Sequence, residues 1–197
     1  MNYPPKYHQD NDIDHMIDVI ENYPLATVIS VEDNEPIITH LPLIYNEDGN
    51  LIGHIDKFNP QAELLKEGKD VTILFSGPQC YISPSIYGTK QLPTWNYVKV
   101  HLKGKVTAIE DAKAIKHTIV KMTEFLERPD HRYELRIDDS RMDALIDYVK
   151  GFQITITHWE GKFKLSQDKK PSDFANAKVE LIRANQESIE SFLDKII

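Results

Sequence analysis

One cysteine, Cys80, stands in 197 residues, so no intrachain disulfide can form and a CxxC zinc or redox site is excluded. Cationic side chains are the minority, 23 against 31 acidic, and the net charge of −8 repels a polyphosphate at long range unless basic residues cluster strongly. Direct DNA binding is therefore not expected. No window approaches the roughly 20 apolar residues that span a bilayer, and residues 1–10 lack a basic stretch followed by an apolar run. The expectation is a soluble, cytoplasmic chain without a membrane partner. GxGxxG, a Walker lysine loop, HExxH and GxSxG are all missing. The eight histidines, at 8, 15, 40, 54, 101, 117, 131 and 158, show no close ligand-like pairing, so no metal site is expected.

What is present is an ordinary globular composition, 41% hydrophobic and 27% charged, on a chain long enough to bury a sizeable core as a single domain over 1–197. Ile13, Met16, Ile17 and Ile20 share one helical face, predicting a helix over 11–22 with Asn11 or Asp12 as its cap. β-branched runs at 25–31, 37–44 and 50–55 predict a three-stranded meander. A short amphipathic segment at 62–66 follows, then a buried type of strand over 70–76 that the pair Gly77-Pro78 ends. Residues 80–83 extend briefly, 84–93 form a loop, and 95–109 read as a long strand bent at Gly104. Helices are predicted at 111–127, capped by Asp111, at 142–150, ended by Gly151, and at 173–197, with a break at Asn185; a last strand covers 152–159. Connections before residue 111 are too short for crossover helices, which favours an antiparallel, closed or partly closed barrel over a parallel sheet.

Five segments gather chemistry. Thr39-His40-Leu41-Pro42-Leu43 carries a proline that cannot donate to a ladder, so it marks an edge or bend, with His40 either facing a ligand or satisfied in a turn. Gly53-His54-Ile55-Asp56-Lys57-Phe58-Asn59-Pro60 offers an imidazole, an ammonium and a carboxamide where a strand ends. Such groups suit a phosphate, and Asn59 opens a short helix whose free N–H groups attract anions; a solvated loop lysine is the plain alternative. The stretches Tyr81-Ile82-Ser83-Pro84-Ser85-Ile86-Tyr87 and Pro93-Thr94-Trp95-Asn96-Tyr97 supply faces and edge-on partners for a flat heteroaromatic ligand, or else a satellite hydrophobic cluster. Gly161-Lys162-Phe163-Lys164-Leu165-Ser166-Gln167 alternates polar and apolar residues, as a site or a plain edge strand would. With Lys169 and Lys170 it forms the one dense basic patch, which suits a small anion better than a duplex.

Taken in order, these motifs, the second continuing through Asn59-Pro60-Gln61, closely resemble the PaiB family, described as FMN-binding negative transcriptional regulators. The resemblance runs from about Tyr3 to the C-terminal helix. It implies a mainly β fold with flanking helices: an antiparallel, Greek-key type of split β-barrel, like that of pyridoxamine phosphate oxidase, with a C-terminal helical extension. It also implies a homodimer with FMN in clefts at the subunit interface. Carried over by position, Lys57 meets the phosphate, with His54, Asn59 and Thr39 nearby and His40 and Leu41 in the same stretch. Tyr81 and Ser83 line the site, Trp95, Asn96 and Tyr97 flank the ring, and Lys164, Ser166 and Gln167 reach it from one subunit or the other. His40 and His54 are the proton donors to test. The implied role is negative regulation exerted indirectly; the alternatives are an FMN-dependent oxidoreductase using NAD(P)H, similar to flavin reductases, and a binder of haem or another flat ligand.

Overall fold

The β-branched runs of the sequence become strands in the computed structural model, which describes residues 4–186. In chain order these are β1 (Gln9–Asp10), α1 (Ile13–Asn22), β2 (Leu25–Glu32), β3 (Glu35–Pro42), β4 (Ile44–Tyr45), β5 (Asn50–Asp56) and β6 (Asp70–Ile82). There follow β7 (Thr94–Ile109), α2 (Ala112–Leu126), α3 (Ser140–Leu145), β8 (Val149–Lys164) and α4 (Pro171–Gln186). Short 3-10 turns cover Lys6–His8, Pro60–Glu63, Pro84–Ile86 and Ile146–Tyr148. The chain divides into two compact units. The larger is Ile13–Ser76 with Val100–Glu160; the smaller is Met1–Asp12, Gly77–Lys99 and Gly161–Ile197, described over 4–12, 77–99 and 161–186.

In the larger unit the strand order is β3-β2-β6-β7-β8-β5-β4. Asp33 and Asn34 both take left-handed backbone, φ 49° and 66°, as a two-residue hairpin turn requires, and this sets the β2–β3 register from Glu32↔Glu35 to Leu25↔Pro42. Alternate residues then point inward: Ala26 and Val28 from β2, Ile73 and Phe75 from β6, Val100 and Leu102 from β7, Phe152 and Ile154 from β8 are all fully buried. Each large apolar side chain so buried stabilises by about 1.5–3 kcal/mol. Met122 of α2 packs on Ile44 and Ile52, with Phe125 beside it. Asp111 accepts from the Ala114 N–H at 2.7 Å, the helix cap expected there.

The mainly antiparallel class with flanking helices is present, but the sheet is open. Among the described residues no ladder joins β3 to β4, its two ends. Gly77-Pro78 is not a turn, because β6 runs through it to Ile82. A Cβ on Gly77 would lie 3.1 Å from the Val98 Cβ, so glycine here permits close approach of a neighbouring strand, and the fixed φ of proline suits extended backbone. The helix predicted over 142–150 ends early: α3 stops at Leu145, a 3-10 turn follows, and Val149 and Lys150 already pair with Asp56 and Ile55. The segment 62–66 is no α-helix either, only the tail of the 3-10 turn Pro60–Glu63. Helix α4 is described to Gln186; residues 187–197 of the predicted C-terminal helix, and with them the course of the chain after Asn185, lie outside the described residues.

In the smaller unit, β1 pairs with the end of β8, Gln9↔Lys162 and Asp10↔Gly161. Ala177 of α4, with Leu181 and Ala184, covers Cys80 and Ile82 of β6 and the loop side chains Ile86 and Tyr87.

Candidate functional site

Each unit brings together part of the predicted set. In the larger unit, β3 and the turn after β5 meet through Thr39 and Asn59. The Asn59 amide and the Thr39 hydroxyl lie 3.3–3.4 Å apart, and the Asn59 Oδ1 also accepts from the Gln61 N–H at 2.9 Å. That capping bond removes the anion site foreseen at a helix start: the turn is four residues of 3-10 geometry, too short for a helix dipole, and its first donor is already used. Lys57 remains as the cation. Its Nζ stands 4.6 Å from the Tyr148 ring centroid and 5.3 Å from that of Phe58, and its backbone N–H donates to the Tyr148 carbonyl at 2.9 Å. The rings fix the ammonium, and it has no carboxylate partner among the described residues.

Strand alternation separates the rest of that segment. Thr39 is half-buried and Leu41 buried on one face of β3, whereas His40 is exposed on the other. Leu41 belongs to the core, which leaves only its backbone for a ligand. His54 sits on β5 opposite Gly151; burial holds its pKa below the ordinary histidine value, so the ring is neutral. Gln61, named in the motif but given no role from the sequence, is fully buried and donates to the Val28 carbonyl at 3.1 Å and the Ser30 hydroxyl at 3.0 Å.

In the smaller unit the polar centre is Ser166, which is buried and left-handed at φ 65°. Its hydroxyl donates to Asn96 Oδ1 at 3.1 Å and lies 3.0 Å from the Tyr87 hydroxyl. Gln167 braces the turn, accepting from the Leu165 N–H at 2.7 Å, meeting His8 Nδ1 at 3.2 Å and donating to the Phe163 carbonyl. Lys164 donates to the Thr94 hydroxyl at 2.6 Å. On β7 the period of two puts exposed Trp95 and half-buried Tyr97 on one face and buried Asn96 on the other, so Asn96 does not flank a ring together with its neighbours. Trp95 instead stands beside exposed Tyr81, ring centroids 6.4 Å apart and tilted by 56°. Ser83 caps the turn Pro84–Ile86, bonding the Ser85 N–H and hydroxyl.

Two smaller-unit residues were not foreseen. His8 meets Gln167 across 159 positions, and no local pattern signals such a pairing. Asp173, with no exposed surface, accepts from the Gly88 N–H at 2.7 Å and from the Thr89 hydroxyl; the Thr89 bond above all holds its carboxyl below the usual range. The available signal was Pro171 followed by an acidic residue, a helix start, though not the loop it grips.

Three buried side-chain atoms lack a hydrogen-bond partner among the described residues: His54 Nδ1 and Gln61 Oε1 in the larger unit, Asn96 Nδ2 in the smaller. Each falls in a segment singled out from the sequence. Orphaned buried polar atoms cost free energy, and within the larger unit a ligand carrying both donors and acceptors, as a flavin does in its pyrimidine edge and ribityl hydroxyls, would satisfy His54 Nδ1 and Gln61 Oε1.

Comparison with known proteins agrees with this chemistry. Residues 2–158 match the model of a family described as "Putative FMN-binding domain". Protease synthase and sporulation protein PAI 2 of Bacillus subtilis (strain 168) is 28% identical over 178 residues, covering 88% of this chain and 86% of that protein. Among solved structures, the FAD and heme binding protein from Mycobacterium smegmatis aligns with a TM-score of 0.66 at 20% identity, over 85% of this chain and 79% of that one. The flavocytochrome Anf3 from Azotobacter vinelandii aligns with a TM-score of 0.61 at 18% identity, over 87% and 78%. These likenesses show a shared fold, the split-barrel class.

Proposed function

The chain belongs to the PaiB-type family described as "Putative FMN-binding domain", and from that premise we propose that it holds FMN with the phosphate at Lys57, Thr39 and Asn59 and regulates indirectly, through the bound flavin. The observation that carries the flavin reading is the pair of orphaned polar atoms in the larger unit, His54 Nδ1 and Gln61 Oε1, on the segment that also bears Lys57 and Asn59. Lys57 supplies charge, and Asn59 holds the Thr39 hydroxyl in place. His54, kept neutral, offers Nδ1 as donor or acceptor according to its tautomer. In the smaller unit, taken by itself, Trp95 and Tyr97 share one face of β7, the aromatic face that the resemblance assigns to a flavin ring. When bound, FMN supplies the redox chemistry, and the chain's part is to bind and orient it. Titration of flavin-free protein with FMN tests this: saturable binding with a shifted flavin spectrum is expected, and no binding at micromolar FMN rejects it.

Regulation without DNA contact is supported by charge. Net charge is −8, and within the basic patch Lys169 is paired with Asp168. Sequence-specific, salt-sensitive binding of the purified protein to promoter DNA would overturn it. No described helix is long and apolar enough to cross a membrane, and the single, buried cysteine suits a reducing cytoplasm.

A homodimer is the assembly we propose, on the outer face of β2 and β3. Leu25 and Val31 are 61% and 64% exposed there and Ile38 52%, and Ile29 lies directly opposite Ile38 on the same face. Exposed apolar side chains on a sheet face call for a cover, and a second copy offers the same β-branched face. Ile38→Asp is expected to convert the dimer to monomer in light scattering; an unchanged mass would move the interface elsewhere.

A further inference from the structure

The smaller unit contains a cleft of about 350 Å³ whose walls include Tyr7, His8, Thr94, Lys164, Ser166 and Lys169. We infer that this cleft is a subsite for a small oxyanion, the carboxylate or phosphate group of a ligand other than FMN. The inference goes beyond the flavin assignment, whose phosphate is placed at the Lys57 set of the larger unit.

The donors are of one kind. Lys164 has only a neutral partner, the Thr94 hydroxyl at 2.6 Å, so its charge is uncompensated among the described residues. Lys169 brings a second ammonium, offset by Asp168 at 2.9 Å. Tyr7, Thr94 and Ser166, each a hydroxyl-bearing residue, line the same space. Cations and hydroxyls bind oxyanions through charge-assisted hydrogen bonds; a metal would need carboxylate, imidazole or thiolate ligands instead. One carboxylate, Asp168, lines the cleft, and it is already paired.

The turn that forms the cleft wall is built rather than incidental. A left-handed serine costs about 1 kcal/mol or more, and here Ser166 is held in that state by Asn96, Tyr87 and the Gln167 brace on Leu165 and Phe163. Beneath Ser166, Asn96 Nδ2 is left unsatisfied. Ser166 thus lines the cleft in a strained state, bonded to a side chain with an unmet donor, an arrangement poised for a ligand.

His8 reports the field in the cleft. Burial chiefly lowers its pKa, and Lys164 and Lys169 lower it further, against the opposing Gln167 hydrogen bond and the Asp168 charge. An anion entering between these groups reverses the lysine contribution, so its arrival is readable at the His8 ring.

The test is a titration of FMN-saturated protein with inorganic phosphate and, as the carboxylate probe, malonate, following the His8 ring signals by NMR as a function of pH. A saturable upward shift of the His8 pKa by either probe is expected. Lys164→Met should weaken the probe about tenfold or more, and Lys164→Arg, which keeps the charge, should retain most of it, with thermal melts confirming that both variants fold. No shift with either probe overturns the proposal. A shift seen in flavin-free protein and abolished by FMN overturns it too, because the cleft would then seat the cofactor's own phosphate. If the protein binds no FMN, the flavin reading fails on its own titration, and the flavin-free arm still decides the cleft.

Discussion

Lys57→Ala is expected to weaken FMN about tenfold to a hundredfold while leaving riboflavin within about twofold, because a charge-assisted hydrogen bond to the phosphate is worth roughly 1.5–3 kcal/mol and riboflavin has no phosphate. The prediction rests on where the ammonium is kept. Its backbone is tied to the Tyr148 carbonyl at 2.9 Å, and the Tyr148 and Phe58 rings lie on one side of Nζ at 4.6 and 5.3 Å. Aromatic faces attract a cation without consuming its N–H donors, so the group is pre-positioned yet still able to donate. Losing the ring contacts costs about 0.5–1 kcal/mol of stability at a partly exposed site, too little to unfold the protein, and a thermal melt checks this. Equal loss of FMN and riboflavin would reject the phosphate role. Trp95→Ala serves as the contrast. Its exposed ring offers surface to a flavin ring, so both ligands should weaken together.

Most of the strand pattern was legible because it is local. Val71, Ile73 and Phe75 alternate with half-buried or exposed neighbours, and period two reads directly as one buried face. What was not legible depends on distant partners. Nothing near Gln9 announces a pairing with Lys162, and Val149 joins β8 because Asp56 awaits it, although local periodicity there reads as helix. The site divides the same way. Thr39 and Asn59 were singled out and do meet, since the turn after β5 comes only 20 residues beyond Thr39 in sequence. Alternation alone would have set Asn96 opposite Trp95 and Tyr97. His8 and Asp173 were invisible: each acts on a loop 80 or more positions away, and only the folded chain brings them there.

Gly104→Ala is expected to destabilise the protein by about 3 kcal/mol, the upper part of the range for overpacking a core, and so to lower Tm by about 6–12 °C. The sequence suggested that Gly104 bends β7, but its position explains it differently. It lies on the inward face between buried Leu102 and Val106, where a Cβ would collide with the Ile154 Cγ2 and stand 2.8 Å from the Thr155 carbonyl oxygen. Its φ is not left-handed, so alanine could adopt the backbone, and the cost is contact alone. Gly53 separates this from a general intolerance of alanine. A Cβ there would meet the Leu43 Cδ2 at 2.5 Å and the Phe152 Cζ at 2.8 Å, side-chain atoms with no backbone oxygen among them, so Gly53→Ala should cost less than Gly104→Ala. Adding Ile154→Ala to Gly104→Ala removes the methyl collision but leaves the carbonyl, which cannot move without shifting the β8 ladder. The double variant should therefore stay below Ile154→Ala alone in urea unfolding. If the two are equally stable, the backbone contact carries no weight, and glycine at 104 is there only to make room for the isoleucine.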